Sequence, residues 1–336
     1  MNAPSATRQT KPRIASSWSS SRLNGGEFSF ARHLREQCRF LGKGSGHIRF
    51  ARREPENTPR KHCRAPSFRL SVHLTLVMQD STRRSAQEIF EEVKASAREE
   101  LSRSASALLF SGFVGGLGMG LTGLSVALAL SYLGNSPTAQ FVSFCFYPVG
   151  FIVVIVGRAQ LFTENTLYPV VLILDERKHL LQSLKLWVTV FVSNVAGAVF
   201  FGWLVMKTGA LSPNFADALA GLGTEAVQGH FTLIFAKGIL GGWLIALVAW
   251  MVTASHWTIG QVAITWMLTF IVGAGHFSHC IASSAEIVAA IMSGHLHFIN
   301  YFNWLLPATL GNIAGGVFMV SVLNYGQVKI GSEEEE

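Results

Sequence analysis

Two apolar stretches of this chain are interrupted at matching places, and that pairing limits what the rest can fold into. Leu161-Phe162-Thr163-Glu164-Asn165 breaks the second apolar stretch, and the run from Gly275 to Ser284 breaks the fifth. In hydrocarbon every backbone N–H and C=O must find an internal partner, so irregular backbone survives there only where protein buries it or a wet cavity runs past it. Broken helices in corresponding halves of a chain mark a transport path near the midplane.

The composition agrees. Hydrophobic residues make up 49% of the 336 and charged ones only 14%, more apolar surface than one soluble core of this length needs. The net charge of +7 is unevenly placed: residues 1–77 hold fifteen Lys and Arg against four Glu, a surplus of eleven, which leaves −4 for the remainder. That leader is rich in Arg and Ser and has no apolar face, so it reads as disordered. Three explanations stay open: a targeting segment, an arm attracted to anionic headgroups or nucleic acid, or translation upstream of a native start at Met78. Cys38, Cys63, Cys145 and Cys280 are scattered and define neither a disulfide framework nor a zinc spacing.

From Ser85 to Ser104 an amphipathic cytoplasmic helix is expected, with Ile89, Phe90, Val93, Ala97 and Leu101 at helical spacing and Ser85/Glu88 as its capping box. It reads as a solvated or interfacial helix leading into the first span. Residues 105–327 then form a transport domain of six spans: Ala107–Leu133, Gln140–Leu174 with its break, Leu181–Met206, Phe231–Thr253, Thr258–Met292 with its break, and Phe302–Asn324. Residues 328–336 are an acidic tail. Each triplet of spans has its break in the middle member, so the halves should be inverted three-helix repeats. The expected fold is an all-α membrane protein of aquaporin-like type. The loop Asp175-Glu176-Arg177-Lys178-His179, with Lys185 beyond it, is the most basic one, which places both termini in the cytoplasm.

Polar groups inside the apolar stretches are the functional candidates, because ionisable side chains are costly there. His279 stands out: it sits at a helix break in a Ser-rich run, and its imidazole can donate a hydrogen bond to a passing anion. Thr163 offers a hydroxyl opposite it. Lys237 lies about 10 Å inside the fourth span at ~1.5 Å per residue, placed either to snorkel outward or to attract anions. Arg158 and Glu164 flank the first break closely enough to pair across it. His276 is a weaker candidate.

These residues resemble the formate/nitrite transporter family, in which the second and fifth helices carry motifs like Glu-Leu-Phe-Thr-Gly-Asn and Phe-Glu-His-x-Ile-Ala-Asn. Here they read Gln160-Leu161-Phe162-Thr163-Glu164-Asn165 and Phe277-Ser278-His279-Cys280-Ile281-Ala282-Ser283, and the run Leu306 to Gly316 is similar to the family's last helix. The departures at Gln160, Glu164, Ser278 and Ser283 place the chain on a divergent branch. The resemblance covers about Ser85 to Gln327. It implies a pore for small monovalent anions or their weak acids, with protons as partners and His279 assisting proton delivery so that the neutral acid crosses. It also implies that Leu161 and Phe162 form an apolar constriction, that Lys237 draws anions into an outer vestibule, and that Asn165 and Asn312 tie the broken backbone down. A homopentamer in the cell's inner (plasma) membrane follows by the same resemblance.

A neutral-solute pore of aquaglyceroporin type is the alternative, although neither break carries the Asn-Pro-Ala motif of such pores. An intramembrane metalloenzyme on His276, His279 and Cys280 lacks a carboxylate or a second His pair. No enzyme activity, cofactor, metal or nucleic-acid partner is expected, and no Walker loop is present.

Overall fold

The computed structural model describes residues 84–333, with side-chain environments for residues 84–330. The expectations for residues 1–77 and for the acidic end of the tail lie outside the described residues. Within them the chain is helical, with no strand. The first helices are α1 (Ala86–Ser102), α2 (Ala105–Leu133), α3 (Pro137–Ser143), α4 (Pro148–Val156) and α5 (Tyr168–Glu176). There follow α6 (Leu180–Lys207), α7 (Pro213–Ala226), α8 (Phe231–Ala254), α9 (Thr258–Ala274) and α10 (Ala282–Met292). The last are α11 (Phe298–Ala314), which runs through a π-helical stretch at Gly315–Val322, and α12 (Leu323–Glu333). Five stretches are long and apolar enough to cross a membrane: Ala105–Leu133, Pro137–Val156, Leu180–Lys207, Phe231–Ala254 and Phe298–Ile330. The fifth span, expected to be broken, consists of two shorter apolar helices, α9 and α10, on either side of the second break.

Both breaks are built by the same backbone device. At the end of α4, Arg158 N–H bonds the Ile155 carbonyl at 3.2 Å and Ala159 N–H bonds Val154 at 3.0 Å. At the end of α9, His276 N–H bonds Gly273 at 2.9 Å and Phe277 N–H bonds Val272 at 3.0 Å. Each is a Schellman ending, which needs its pivot residue in the left-handed region. Arg158 (φ 59°) and His276 (φ 51°) take that place without being glycine.

The repeat continues in the helices around the breaks. Gly116 on α2 lies against the Asn194 carbonyl of α6, and Gly242 on α8 lies against the Asn312 carbonyl of α11; a Cβ at either glycine would run into that carbonyl. Such close approach lets helices associate in lipid, where tight packing replaces the hydrophobic drive. The halves therefore share a scaffold that residue identity alone hides.

The amphipathic helix, expected as solvated or interfacial, turns its apolar face into the domain and keeps its polar face exposed. Phe90, Val93 and Ala97 of α1 are fully buried, and Phe90 and Val93 pack with Leu167, Val171, Ala249 and Val320. Its capping box is formed, with Ser85 N–H to Glu88 Oε2 at 2.6 Å and Glu88 N–H to Ser85 Oγ at 3.2 Å. The Arg84 guanidinium donates to the Thr253 carbonyl at the end of α8. Asp175 fixes the same region, accepting from Lys94 of α1 and pairing with Lys329 of α12, each at 2.8 Å.

Hydrogen bonds from Lys329 and then Lys94 hold the Asp175 carboxyl below the usual carboxylate range. A carboxylate so depressed contributes stability at all pH values above its ordinary value near ~4, and loses it as pH falls through the lowered folded value. Asp175→Asn should cost on the order of 1 kcal/mol at pH 7. In detergent, the variant's thermal midpoint should fall at pH 7, and the part of the wild-type acid loss below about pH 4 that Asp175 supplies should vanish in it. An unchanged midpoint would remove Asp175 as the anchor of α1.

Candidate functional site

The breaks meet at His279. Its ring is fully buried, Nε2 lies 2.8 Å from Thr163 Oγ1, and Nδ1 lies 3.0 Å from the Ala282 backbone nitrogen. A backbone N–H can only donate, so Nδ1 accepts, and Nε2 carries the hydrogen and donates to Thr163. The Thr163 hydroxyl keeps its own hydrogen for a further partner. Phe151 sets its edge against the imidazole at 5.0 Å between centroids, which fixes the ring's plane.

Thr163 is itself held by the break. Thr166 Oγ1 donates to the Thr163 carbonyl at 2.7 Å, and Ser321 from the π-helical stretch donates to the Thr166 carbonyl at 3.1 Å. Leu161 and Phe162 are buried beside it, Phe162 against Phe191 and Trp187. Five of the expected groups thus gather in or around one break: Leu161, Phe162, Thr163, Glu164 and Asn165, with His279 facing them from the other.

Two asparagines hold the breaks in place. Asn312 Oδ1 accepts from Cys280 N–H at 2.9 Å, while its Nδ2 donates to the Gly238 and Ser278 carbonyls, both at 2.8 Å. Asn194 does the same in the other half: it accepts from Phe162 N–H at 2.8 Å and donates to the Gly112 and Gln160 carbonyls at 2.6 and 2.8 Å. The sequence separations match, 32 residues to the N–H partner and 34 to the carbonyl partner in both halves. An amide is the one neutral side chain that both donates twice and accepts, so one residue satisfies an N–H and a carbonyl of the break and ties them to a carbonyl of a neighbouring helix, Gly112 in α2 or Gly238 in α8. Asn165 works within the first break, donating to Gln160 Oε1 at 2.8 Å and accepting Trp187 Nε1–H on its carbonyl at 2.9 Å.

The expected pairing of Arg158 with Glu164 does not occur. Arg158 is exposed at the pivot of the Schellman ending, whereas Glu164 sits a turn further in, with Tyr168 Oη 3.4 Å from its Oε1.

Lys237 lies apart from the constriction. It lines a cavity of about 70 Å³ together with Ser278, Ser283, Glu225, His276 and Glu286. A larger cavity of about 560 Å³ adjoins it, sharing Phe144, Leu222, Glu225 and His276. At that junction His276 Nδ1 lies 3.1 Å from Glu225 Oε1, and the His276 ring holds the Glu225 carboxyl below the usual carboxylate range. Glu225 comes from α7, a helix the sequence reading did not anticipate. His276, His279 and Cys280 do not converge, and among the described residues no group of three His, Cys, Asp or Glu could hold a metal ion.

Sequence reasoning also missed Asn194, Glu225 and Glu286. The signal for Asn194 was present: a polar amide in an apolar span, as far beyond its break as Asn312 is beyond the other. Glu286 is the one charged residue of α10, 5% exposed in a helix of otherwise apolar and small residues.

Comparison with known proteins comes to the same place. The formate/nitrite transporter family model matches residues 87–326. An inner membrane protein, YfdC, of Escherichia coli (strain K12) is 29% identical over 247 residues, which is 73% of this chain and 79% of that protein. A probable formate transporter of Methanothermobacter thermautotrophicus is 32% identical over 194 residues, 53% of this chain and 71% of that one. A solved pentameric formate channel with formate bound shares the fold at a TM-score of 0.58 and 20% identity, covering 67% of this chain and 98% of that one.

Proposed function

We propose a function from one premise: the chain belongs to the formate/nitrite transporter family. It is a membrane channel or secondary transporter for small monovalent anions or their weak acids, and formate is the first substrate to test because relatives in this family carry formate in their names. The observation that supports it most is the buried His279–Thr163 hydrogen bond joining the two broken helices. We read α9 and α10 together as one crossing, which gives six, and read both termini as cytoplasmic from the basic loop at Arg177 to Lys185. A homopentamer in the inner membrane is the assembly we infer.

The mechanism follows from the cost of charge at depth. An ion at the bilayer centre costs at least about 2.5–3.5 kcal/mol on insertion scales, and a neutral acid avoids most of it. An anion approaching through the ≈560 Å³ cavity meets Lys237 in the ≈70 Å³ one, where the ammonium offsets the loss of water. At the constriction the Thr163 hydroxyl, oriented by His279, donates to the substrate oxygen as the species becomes neutral. Leu161 and Phe162 give the passage an apolar wall that favours the uncharged acid.

Flux of formate, nitrite, acetate and glycerol into liposomes at pH 5 and pH 7 tests this reading. Weak-acid flux with glycerol excluded is expected, whereas glycerol flux without acid flux would overturn it. Lys237→Ala should raise the half-saturating formate concentration several-fold and change the maximal rate little, since its role is attraction ahead of the central step. An unchanged half-saturation would take Lys237 out of the pathway.

A further inference from the structure

We propose that Glu286 is the proton donor of the outer cavity, handing a proton to the weak-acid anion held beside Lys237 before it reaches His279. This rests on the transport reading above and names the source of the proton, which that reading does not, placing the transfer ahead of the constriction.

Glu286 is 5% exposed yet lines the ≈70 Å³ cavity, and it has no ion-pair partner among the described residues. Ser283 hydrogen-bonds it, but a carboxyl without a counter-charge in such a place is costly as a purely structural group. Its room is specifically provided: a Cβ on Gly123 of α2 would collide with the Glu286 side chain, carboxyl included. Ser283 and Glu286 stand three residues apart on one face of α10, which carries both along the cavity wall beyond the break that holds His279.

His279 is poorly placed to be the donor itself. Its Nδ1 is occupied by the Ala282 N–H and its Nε2 hydrogen by Thr163. Releasing a proton from Nε2 would require Nδ1 to take one up against a backbone N–H. Glu286 has no such obstacle.

The transfer balances without any further reactant. The O–H bond of the Glu286 carboxyl breaks, its electron pair stays on Glu286, and a new O–H bond forms on the substrate carboxylate. The acid leaves neutral, and Glu286 regains a proton from water in the adjoining cavity. The charged and titratable groups around it set the field for this exchange. Ser283 hydrogen-bonds the Glu286 carboxyl, Glu225 of α7 repels negative charge on it, Lys237 of α8 and His276 of the break line the same cavity, and the Tyr147 phenol lies close. Helix α2 carries no Asp, Glu, Lys, Arg or His, and α6 carries only Lys185 and Lys207, toward its ends.

The test is the slope of formate and acetate flux against pH in liposomes holding the full-length protein, from pH 5 to pH 7. With a donor in the cavity, wild-type flux should fall by much less than tenfold per pH unit. Glu286→Gln keeps the size and the hydrogen-bonding capacity but cannot release a proton, so only acid protonated in bulk remains, and flux should fall tenfold per unit. Glu286→Asp should restore the shallow slope. A Glu286→Gln protein whose flux is lowered equally at every pH, or keeps the wild-type slope, overturns the assignment. A wild-type protein that moves neither acid at any pH overturns instead the transport reading on which the assignment stands.

Discussion

Replacing His279 with phenylalanine should abolish weak-acid flux, by at least about 100-fold, while the protein still inserts and purifies as wild type. The imidazole is fully buried between the two breaks and makes two hydrogen bonds, to Thr163 Oγ1 of the other break at 2.8 Å and from Ala282 N–H at 3.0 Å. A phenyl ring fills the space but leaves Thr163 without its donor and the Ala282 N–H without its acceptor. The hydroxyl is then free to turn away from the path, and the passage loses the group that meets the substrate. A loss of two buried hydrogen bonds costs about 2–4 kcal/mol if the groups find no substitute, a loss that the rest of the fold should tolerate. His279→Asn separates the two effects, because its amide can still accept from Ala282 or donate toward Thr163. Residual flux with an altered pH dependence is the result expected of it. Flux from the asparagine protein that matches wild type in rate and pH profile for every acid tested would leave the pore architecture standing and take His279 out of the mechanism.

The sequence showed where the path lies more clearly than how it is held together. Both breaks were legible because Thr, Glu, Ser and His interrupt runs that are otherwise apolar, and lipid tolerates that only for a reason. The capping box at Ser85 and Glu88 was legible too, since its three-residue spacing is local. What stayed hidden depends on groups distant in the chain. Asn194 and Asn312 bond backbone more than thirty residues away, so neither their partners nor their equivalence follows from neighbouring residues. The two breaks also differ in what they present: Leu161 occupies the place in the first half that His279 takes in the second, each accepting on its carbonyl from the residue four positions on, Asn165 and Ser283. One position became chemical and its counterpart stayed apolar, which erases the repeat from residue identity while its backbone persists. Arg158 and Glu164 misled for a related reason, because opposite charges near a turn suggest a pair until the backbone conformation is known. Helix α7 escaped notice because its apolar face covers α10 rather than spanning anything, and with it went the Glu225–His276 contact at the cavity junction.

Asn312→Leu should destabilise the protein by about 3–5 kcal/mol, more than any other substitution considered above. Leucine keeps the branching of asparagine, with bulkier methyls, but offers nothing to the Cys280 N–H or to the Gly238 and Ser278 carbonyls, and all of these lie away from water. Each buried backbone group left without a partner costs about 1–3 kcal/mol, and in hydrocarbon no solvent can step in. The loss reaches further than stability. Cys280 N–H and the Ser278 carbonyl flank His279, so releasing them frees the imidazole from its register with Thr163. Asn194→Leu should do the same to the first break through Phe162 N–H and the Gln160 and Gly112 carbonyls, and by a similar amount, because the three bonds correspond one for one. Thermal unfolding in detergent should therefore show two large and nearly equal losses, with flux falling in both variants. Asn312→Asp supplies the control: it keeps an acceptor for Cys280 N–H but loses both donations and buries a charge, so it should be no better than leucine. A loss below about 1 kcal/mol for either leucine variant, or a large loss at one asparagine and none at the other, would refute the claim that a pair of equivalent amides holds the two broken helices in the membrane.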